Sequence, residues 1–337
     1  MKASIFIPVY NGERYLSATL DSVLAQTYGE WEALCVDDSS TDGSWPLLQT
    51  YAAQDNRIRV FQKPNGGSVP PSWRYIMPHI RGEFTLYMSQ DDLLKPDTLM
   101  QLVQRQQETG ADAVIPHEIH YHAGLPDEQQ HHLKGIKGDT TPVISGREAF
   151  RLMIDYSISG RALWRSDIIR NVGISADTFN ADELAQRQWA LACDKVAFSD
   201  AVFLYCRDNP EAITTKHSPR HYDSCLTNAL LLQLASKVFP DDLRLLTRMA
   251  NGYYDYLLKM ELIYGQHKRD YTPQERQRAA SMMHQAYLIL HRRHSLKGKK
   301  NRITNINYVA LQIVIRLKTF QNNRQGICLE DNFDATI

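Results

Sequence analysis

The chain has 337 residues, of which 43% are hydrophobic, and its 38 Lys and Arg balance its 38 Asp and Glu. This composition predicts a globular protein with one large core or two unequal cores and excludes a disordered chain. Zero net charge gives no overall attraction to nucleic acid, and we expect no nucleic-acid partner. The five cysteines show no paired spacing, which favours a reduced, cytoplasmic compartment.

Short apolar strands alternate with helices along the chain up to residue 115. The helices between them carry apolar residues at helical spacing, such as Leu16, Leu20 and Val23. The predicted strands are residues 3–9, 31–36, 58–61, 84–88 and 111–115. This alternation predicts an α/β protein with a parallel sheet and right-handed crossovers, a Rossmann-like half.

The apolar strand at residues 84–88 is followed by two adjacent carboxylates, Asp91 and Asp92. In open α/β sheets ligands bind at the carboxyl ends of the strands, and hard divalent cations prefer carboxylate oxygens. The pair therefore predicts a site for Mn²⁺ or Mg²⁺. The alternative is that Asp92 only caps the helix that follows.

The polar region 117–142 is predicted to leave the sheet as a solvated loop. Its histidines suggest a zinc site, but they lack cysteine partners and tight ligand spacing. Further along, a return strand is predicted at 159–164 and another at 196–206. Between them Asp182 and Glu183 open a helix, where the helix dipole favours acids, so capping alone can explain at least one of the two.

Beyond residue 218 the pattern contains helices alone, so we expect a domain at 1–218 and a helical region at 219–337. The helical region includes a basic linker at 291–302 and an amphipathic last helix. Basic charge beside an apolar helical face can bind anionic lipid, whereas the alternative is a helix packed on its neighbours. No apolar run reaches membrane-spanning length.

Three segments, at residues 7–12, 36–43 and 89–92, together resemble the nucleotide-sugar-binding half of the family 2 glycosyltransferases. The resemblance covers roughly residues 3 to 215. It implies the inverting GT-A fold, which is a Rossmann-like mixed, mainly parallel sheet with helices on both faces. The C-terminal all-helical region lies outside the resemblance.

The resemblance assigns the uracil base to the ends of the first two strands. Pro8, Tyr10 and Glu13 are expected to border the uracil pocket. Asp38 is expected to accept a hydrogen bond from the uracil ring, since a carboxylate suits a ring N–H.

The rest of the donor is assigned to later segments in the same way. Asp91 is expected near the ribose, and Asp92 is expected to bind Mn²⁺ or Mg²⁺ on the diphosphate. Asn65 and Arg74 are further nucleotide-sugar-binding candidates, Arg74 through a phosphate. The later loop adds Lys216 as a donor contact and His217 as a diphosphate or metal contact, against the alternative of an ordinary surface loop.

The resemblance also places a general base at Asp182, with Glu183 as the competing candidate. Two departures from the commoner family pattern are Ser89, where many members have aspartate, and Ala181, where many have glutamate. The remaining pair Asp91 and Asp92 still supplies a metal ligand. We therefore interpret these departures as variation and not as loss of activity.

The expected activity is transfer of a hexose or N-acetylhexosamine from a UDP-sugar to a hydroxyl of a glycan acceptor, with inversion. A lipid-linked O-antigen, capsule or lipopolysaccharide intermediate is the expected acceptor. The expected location is the cytoplasm, with peripheral contact to the cytoplasmic face of the inner membrane through the C-terminal helices. The alternative is a non-catalytic nucleotide-sugar-binding scaffold protein with the same fold.

Overall fold

The computed structural model describes residues 2–210, 212 and 218–294. The chain divides into two compact units. The first contains Met1–Ser175 and Ala185–Asn209, and the second contains Ala176–Leu184 and the chain from Pro210 onward. The predicted domain boundary between residues 218 and 219 stays a prediction.

The first unit is built on one mixed sheet, which has ten strands within the described residues. They are β1 Ala3–Val9, β2 Trp31–Asp37, β3 Ile58–Gln62, β4 Phe84–Tyr87, β5 Leu93–Leu94, β6 Ala113–Tyr121, β7 His131–Leu133, β8 Val143–Ile144, β9 Leu163–Arg165 and β10 Val196–Cys206. Their order is β3-β2-β1-β4-β9-β6-β10-β5, with β7 on β6 and β8 on β10. The longer ladders are parallel, and β9 runs antiparallel to both β4 and β6. The predicted mixed, mainly parallel α/β class is confirmed.

Helices connect these strands and bury one apolar face each. Helix α1 buries Leu16, Leu20 and Val23 in the same core cluster as Ile5 and Ile7 of β1. This is the spacing that predicted a helix there. The helices before the last long strand are α1 Glu13–Leu24, α2 Ser44–Gln54, α3 Val69–Ile76, α4 Thr98–Thr109, α5 Gly146–Ile154, α6 Ser166–Val172 and α7 Ala181–Leu191.

A cluster of aromatic side chains anchors α3 to the sheet. The Trp73 ring is fully buried and lies 4.4 Å from the ring of Phe6, 5.7 Å from that of Tyr87 and 5.3 Å from that of Trp189. Because Trp73 points into this cluster, its neighbour Arg74 is left exposed on α3.

The region predicted as a solvated loop from residue 117 begins instead as part of the sheet. Strand β6 extends to Tyr121 because it pairs with β10 along most of its length and with β7 at its end. His117 and His120 are therefore strand residues. The prediction failed because polar side chains interrupt the apolar pattern, while the backbone hydrogen bonds of the ladder continue.

The described part of the second unit is helical, apart from a short stretch before α7. It contains α8 Asp223–Val238, α9 Leu243–His267 and α10 Pro273–His294. Thr272 and Glu275 form a capping box at the start of α10, with the Thr272 N–H donating to Glu275 Oε2 at 2.8 Å. Because α10 runs to His294, the first residues of the predicted basic linker are helical. The rest of that linker and the predicted last helix lie outside the described residues.

Within the ranges that the structure describes, each helix is too short or too polar to cross a membrane.

Candidate functional site

Four of the predicted donor-binding residues lie at one edge of the first unit's sheet. Strands β3, β2, β1 and β4 are neighbours and run parallel, so their carboxyl ends lie side by side. Asn65 follows β3, Asp38 follows β2, Tyr10 follows β1 and Asp91 follows β4. The sheet thus brings together residues from four separate segments of the sequence.

Hydrogen bonds join the loops after β1 and β2. The Asn11 N–H donates to Ser40 Oγ at 3.0 Å, and the Gly12 N–H donates to Ser44 Oγ at 2.8 Å. In return, Asn11 Oδ1 accepts from the Thr41 N–H at 2.8 Å. Asn11 has φ of 48°, a left-handed conformation that asparagine tolerates better than most residues. The two loops therefore form one supported surface.

Pro8, Tyr10 and Glu13 occupy three different environments. Pro8 is half-buried in β1, and the Tyr10 side chain is 46% exposed. Glu13 Oε2 accepts from the Gly43 N–H at 2.9 Å, at the N-terminus of α2. Tyr10 is available to a ligand, whereas the Glu13 carboxylate already binds a helix N-terminus.

The Asp38 carboxylate is buried and has two donors. It forms an ion pair with the buried Lys63 Nζ, and both of its oxygens accept from the Gly66 N–H, at 2.9 and 3.1 Å. A side chain at Gly66 would not fit, because its Cβ would lie 2.6 Å from Pro71 Cβ. The sequence analysis missed Lys63, and the only signal was a basic residue directly after a strand.

Asn65, in the loop after β3, and Arg74, on α3, are both exposed. Asn65 Oδ1 accepts from the Gly67 N–H at 2.7 Å, which stabilises the left-handed turn at Gly67. Lys216 and His217 lie outside the described residues.

Asp91 and Asp92 differ in exposure and in hydrogen bonding. Asp92 is fully buried, and its two oxygens accept from the Ser89 N–H at 2.8 Å and the Cys206 N–H at 3.2 Å. Burial raises the pKa of Asp92 to about 7, although the charge of Arg161 acts to lower it. Asp91 is partly exposed, and its Oδ2 accepts from Asn209 Nδ2 at 2.7 Å.

These environments favour a different assignment from the one that the sequence suggested. Asp92 is closed to solvent and holds the turn at 89–92, which is a poor position for a metal ligand. Asp91 is the carboxylate of the pair that a ligand can reach. Sequence alone could not separate the two, because the side-chain directions of adjacent turn residues follow no simple period.

Gln90 joins the turn at 89–92 to the end of β1, and the sequence analysis missed it. Its Oε1 accepts from the Tyr10 N–H at 2.8 Å, and its Nε2 donates to the Tyr10 carbonyl at 3.1 Å. The Thr19 hydroxyl donates to the Gln90 carbonyl at 2.7 Å. Tyr10 and Asp91 are therefore held on connected loops.

The donor groups at this edge fit a cation that arrives with a nucleotide. Across the residues described, no cluster of three or more His, Cys, Asp or Glu is arranged to hold a metal. Mg²⁺ in nucleotide sites usually takes one or two protein carboxylates, with phosphate oxygens and water as the remaining ligands. The partly exposed Asp91 provides one such carboxylate.

A second charged cluster, formed by Glu118 and Arg161, lies close to Asp92. Glu118 Oε2 accepts from Arg161 Nη1 at 3.0 Å and from Ser159 Oγ at 2.6 Å, and its Oε1 lies 3.0 Å from His120 Nε2. Burial acts to raise the pKa of Glu118, but Arg161 and these hydrogen bonds lower it to about 2. The signal in the sequence was an acidic residue directly before the apolar Ile119, in the polar part of β6.

Asp182 and Glu183 lie in the first turn of α7 and belong to the second unit. Both side chains are half-buried. The residues before them are tied to α8, since Thr227 Oγ1 lies 2.7 Å from both Thr178 Oγ1 and Asn180 Oδ1. The choice between the two as general base stays a prediction.

Comparison with known proteins agrees with the resemblance in the sequence. The family model described as Glycosyl transferase family 2 matches residues 4–168. Glycosyltransferase GlyG of Streptococcus pneumoniae is 34% identical over 118 residues, which are 35% of this chain and 39% of that protein. Poly(ribitol-phosphate) beta-glucosyltransferase of Bacillus spizizenii is 33% identical over 118 residues, 34% of this chain and 19% of that enzyme. The match thus spans less than two thirds of the length of either relative.

Among solved structures, S. aureus TarS in complex with UDP-GlcNAc superposes with a TM-score of 0.65 at 20% sequence identity, covering 98% of this chain and 93% of that one. This likeness confirms the GT-A fold for the chain. The family model, the relatives and the order of the motifs all point to the family 2 glycosyltransferases, whose model matches residues 4–168 of this chain.

Proposed function

We propose that this protein transfers a hexose or N-acetylhexosamine from a UDP-sugar to a hydroxyl of a cell-surface glycan acceptor, with inversion. The observation that carries the proposal is the meeting of Tyr10, Asp38 and Asp91 at neighbouring strand ends. The UDP-GlcNAc complex of TarS supports a UDP-sugar donor, and the poly(ribitol-phosphate) relative supports a surface polymer as acceptor.

The pair Asp38 and Lys63 matches the hydrogen-bonding edge of uracil. Uracil presents a ring N–H beside a carbonyl oxygen. The N–H requires a hydrogen-bond acceptor, and the carbonyl oxygen requires a donor. The Asp38 carboxylate is acceptor-only and the Lys63 ammonium is donor-only. The exposed ring of Tyr10 offers an aromatic face to the base.

Asp91, rather than Asp92, is the residue that we assign to Mn²⁺ or Mg²⁺. When bound, the cation neutralises the negative charge that develops on the departing UDP. Asn209 fixes one oxygen of Asp91 by a hydrogen bond, and Asp92 fixes the turn that carries Asp91. Arg74, exposed on α3, is assigned to a phosphate oxygen.

Asp182 is assigned as the general base. It accepts the proton of the acceptor hydroxyl while that oxygen forms a bond to the anomeric carbon. The bond from the anomeric carbon to the diphosphate oxygen breaks in the same step, and its electron pair leaves with UDP. A single displacement inverts the anomeric configuration. Glu183 is the alternative base.

The acceptor and its location complete the proposal. A lipid-linked glycan at the cytoplasmic face of the membrane is the acceptor that we expect from the sequence. The basic linker and the last helix, which would provide the membrane contact, lie largely outside the described residues.

A screen of UDP-sugars tests this function. The purified protein is mixed with Mn²⁺ and each UDP-sugar, with and without extracted lipid-linked glycans, and UDP release is measured. We expect one UDP-sugar to be hydrolysed slowly and to be consumed faster when its acceptor is present. If the protein binds UDP but consumes no UDP-sugar, the scaffold alternative is correct.

A further inference from the structure

Arg161 lies at the same sheet edge as the predicted donor site. Strand β9 runs antiparallel between β4 and β6, with Leu163 paired to Leu86 on one side and Val114 on the other. The amino end of β9 therefore lies at the carboxyl end of β4, and the chain before β9 points in the direction in which β6 continues towards Glu118. Arg161 lies two residues before the first residue of β9.

The guanidinium of Arg161 contacts three groups. Its Nη1 donates to Glu118 Oε2 at 3.0 Å, and its Nη2 lies 4.0 Å from Asp92 Oδ2. Its central carbon lies 4.0 Å from the centre of the Tyr205 ring, a cation–π distance. The side chain is only 15% exposed. Its orientation is thus determined by contacts on β6, on β10 and after β4.

Glu118, which holds Arg161, is itself held by the segment before β9. The Ser159 hydroxyl donates to Glu118 Oε2 at 2.6 Å and accepts from the Arg161 N–H at 2.9 Å. His120 adds a contact to the other carboxylate oxygen at 3.0 Å. Each oxygen of this buried carboxylate therefore has a partner, and Glu118 can serve as a fixed support.

We propose that Arg161 is a positioning residue of the transfer reaction, which fixes Asp92 and, through Asp92, the turn that presents Asp91 to the nucleotide sugar. The inference rests on the proposed function. Asp92 bonds to the Ser89 and Cys206 N–H groups only while its carboxylate stays in place. Without a cation between them, two buried carboxylates would repel each other and the turn would relax.

A lysine cannot replace Arg161 in this arrangement. The planar guanidinium presents separate N–H groups to Glu118 and towards Asp92 while its face lies on Tyr205. An ammonium is a point charge that cannot reproduce this fork. Substitution with lysine therefore keeps the charge and removes the geometry.

The same sheet contains a matched ion pair for comparison. At its amino edge, Arg59 Nη1 donates to Glu32 Oε2 at 2.9 Å, and Glu32 is 1% exposed. Glu32 is fully buried and Arg59 is partly buried, and the pair links the adjacent strands β2 and β3. It lies at the opposite end of the strands from Asp91. Substitutions in this pair therefore report the effect of losing a buried ion pair on folding stability, without an effect on the donor site.

The test measures UDP binding by calorimetry, with and without Mn²⁺, in the wild type, Arg161→Lys, Glu118→Gln, Arg59→Lys and Glu32→Gln. We expect Arg161→Lys and Glu118→Gln to weaken Mn²⁺-dependent UDP binding about 10-fold or more, as loss of groups that orient a metal ligand does. UDP binding without metal should be unchanged in both variants. Arg59→Lys and Glu32→Gln should bind as the wild type does.

Each outcome either supports or overturns the proposal. Thermal unfolding of every variant reports folding, and Glu118→Gln tests the same contact if Arg161→Lys does not fold. Wild-type affinity in both Arg161→Lys and Glu118→Gln, or an equal loss in the Arg59 and Glu32 variants, overturns the positioning role alone. If the wild type itself does not bind UDP, the proposed function fails and this inference fails with it.

Discussion

The two edges of the sheet in the first unit both contain buried charge, but the charges balance differently. At the amino edge, Glu32 accepts from Ser4 Oγ at 2.7 Å, the Arg81 N–H at 2.8 Å and Arg59 at 2.9 Å, and Lys2 lies 3.7 Å away. At the carboxyl edge, the described contacts place a single guanidinium, Arg161, beside both Asp92 and Glu118, and Asp91 is adjacent in sequence.

This difference indicates which edge is built for a ligand. Buried carboxylates are costly unless a cation or several hydrogen bonds compensate them. The charge of Glu32 is compensated by cations and hydrogen bonds within the protein, so the amino edge does not need a bound cation. At the carboxyl edge Lys63 offsets Asp38, but Asp91, Asp92 and Glu118 together carry more negative charge than Arg161 can neutralise. This is the electrostatic condition that favours binding of a divalent cation with a nucleotide.

The largest expected effect comes from removing a carboxylate at the carboxyl edge, and it is an effect on catalysis. Asp91→Asn removes the carboxylate that we assign to the cation, and we expect transfer to fall by roughly 10³-fold, because a bound cation contributes several kcal/mol to the transition state. Initial rates of UDP release measure it. Glu32→Gln, at the balanced edge, is the matched control. Full activity in Asp91→Asn together with loss in Asp92→Asn would restore the assignment first made from the sequence.

The second prediction asks whether binding and proton transfer depend on different residues. Asp182→Asn should lower kcat by about 10²–10⁴-fold, the usual contribution of a general base, while UDP binding stays unchanged. Single-turnover assays and calorimetry measure the two quantities. Glu183→Gln is the control, and if it alone stops transfer then the base is Glu183.

The third prediction concerns stability at the two edges. Arg161→Met leaves Glu118 buried without its cation, and we expect a loss of about 3–5 kcal/mol in the free energy of unfolding. Arg59→Met should cost less, because Lys2 remains near Glu32. Urea unfolding measures both losses. Adding Glu118→Gln to Arg161→Met should recover part of the loss in the free energy of unfolding. Unaltered stability in Arg161→Met would contradict this prediction.

The smallest expected effect is on how the stability of the folded protein falls at acid pH. The pKa of Glu118 is lowered from 4.5 to about 2 in the folded protein, so the unfolded state binds the proton more tightly. The stabilisation from Glu118 is present above pH 4.5 and is lost as the pH falls from 4.5 towards 2. Glu118→Gln should therefore flatten the fall of the melting temperature in this range. The exposed Glu128→Gln is the control, and an equal change in both variants would argue against a paired Glu118.

The sequence was sufficient for the apolar strands β1 to β4 and β10 and for the order of the site segments, but not for the short strands β5, β7 and β8 or for the polar half of β6. Val196–Cys206 was predicted with the bounds that the structure has, because an apolar run between turn signals resolves well. It was not sufficient for pairs that form across the fold. Glu118 lies on β6 and Arg161 lies in the segment before β9, and no local pattern in either segment predicts that the two side chains form a pair. The same holds for Asp38 and Lys63.

Electron paramagnetic resonance of Mn²⁺ in the presence of UDP tests the central claim most directly, since it reports the bound cation without turnover. We predict that the wild type binds Mn²⁺ together with UDP, that Asp91→Asn does not, and that Glu32→Gln binds as the wild type does. Wild-type binding of Mn²⁺ and UDP by Asp91→Asn would contradict the claim that the unbalanced charge at the carboxyl edge holds the cation.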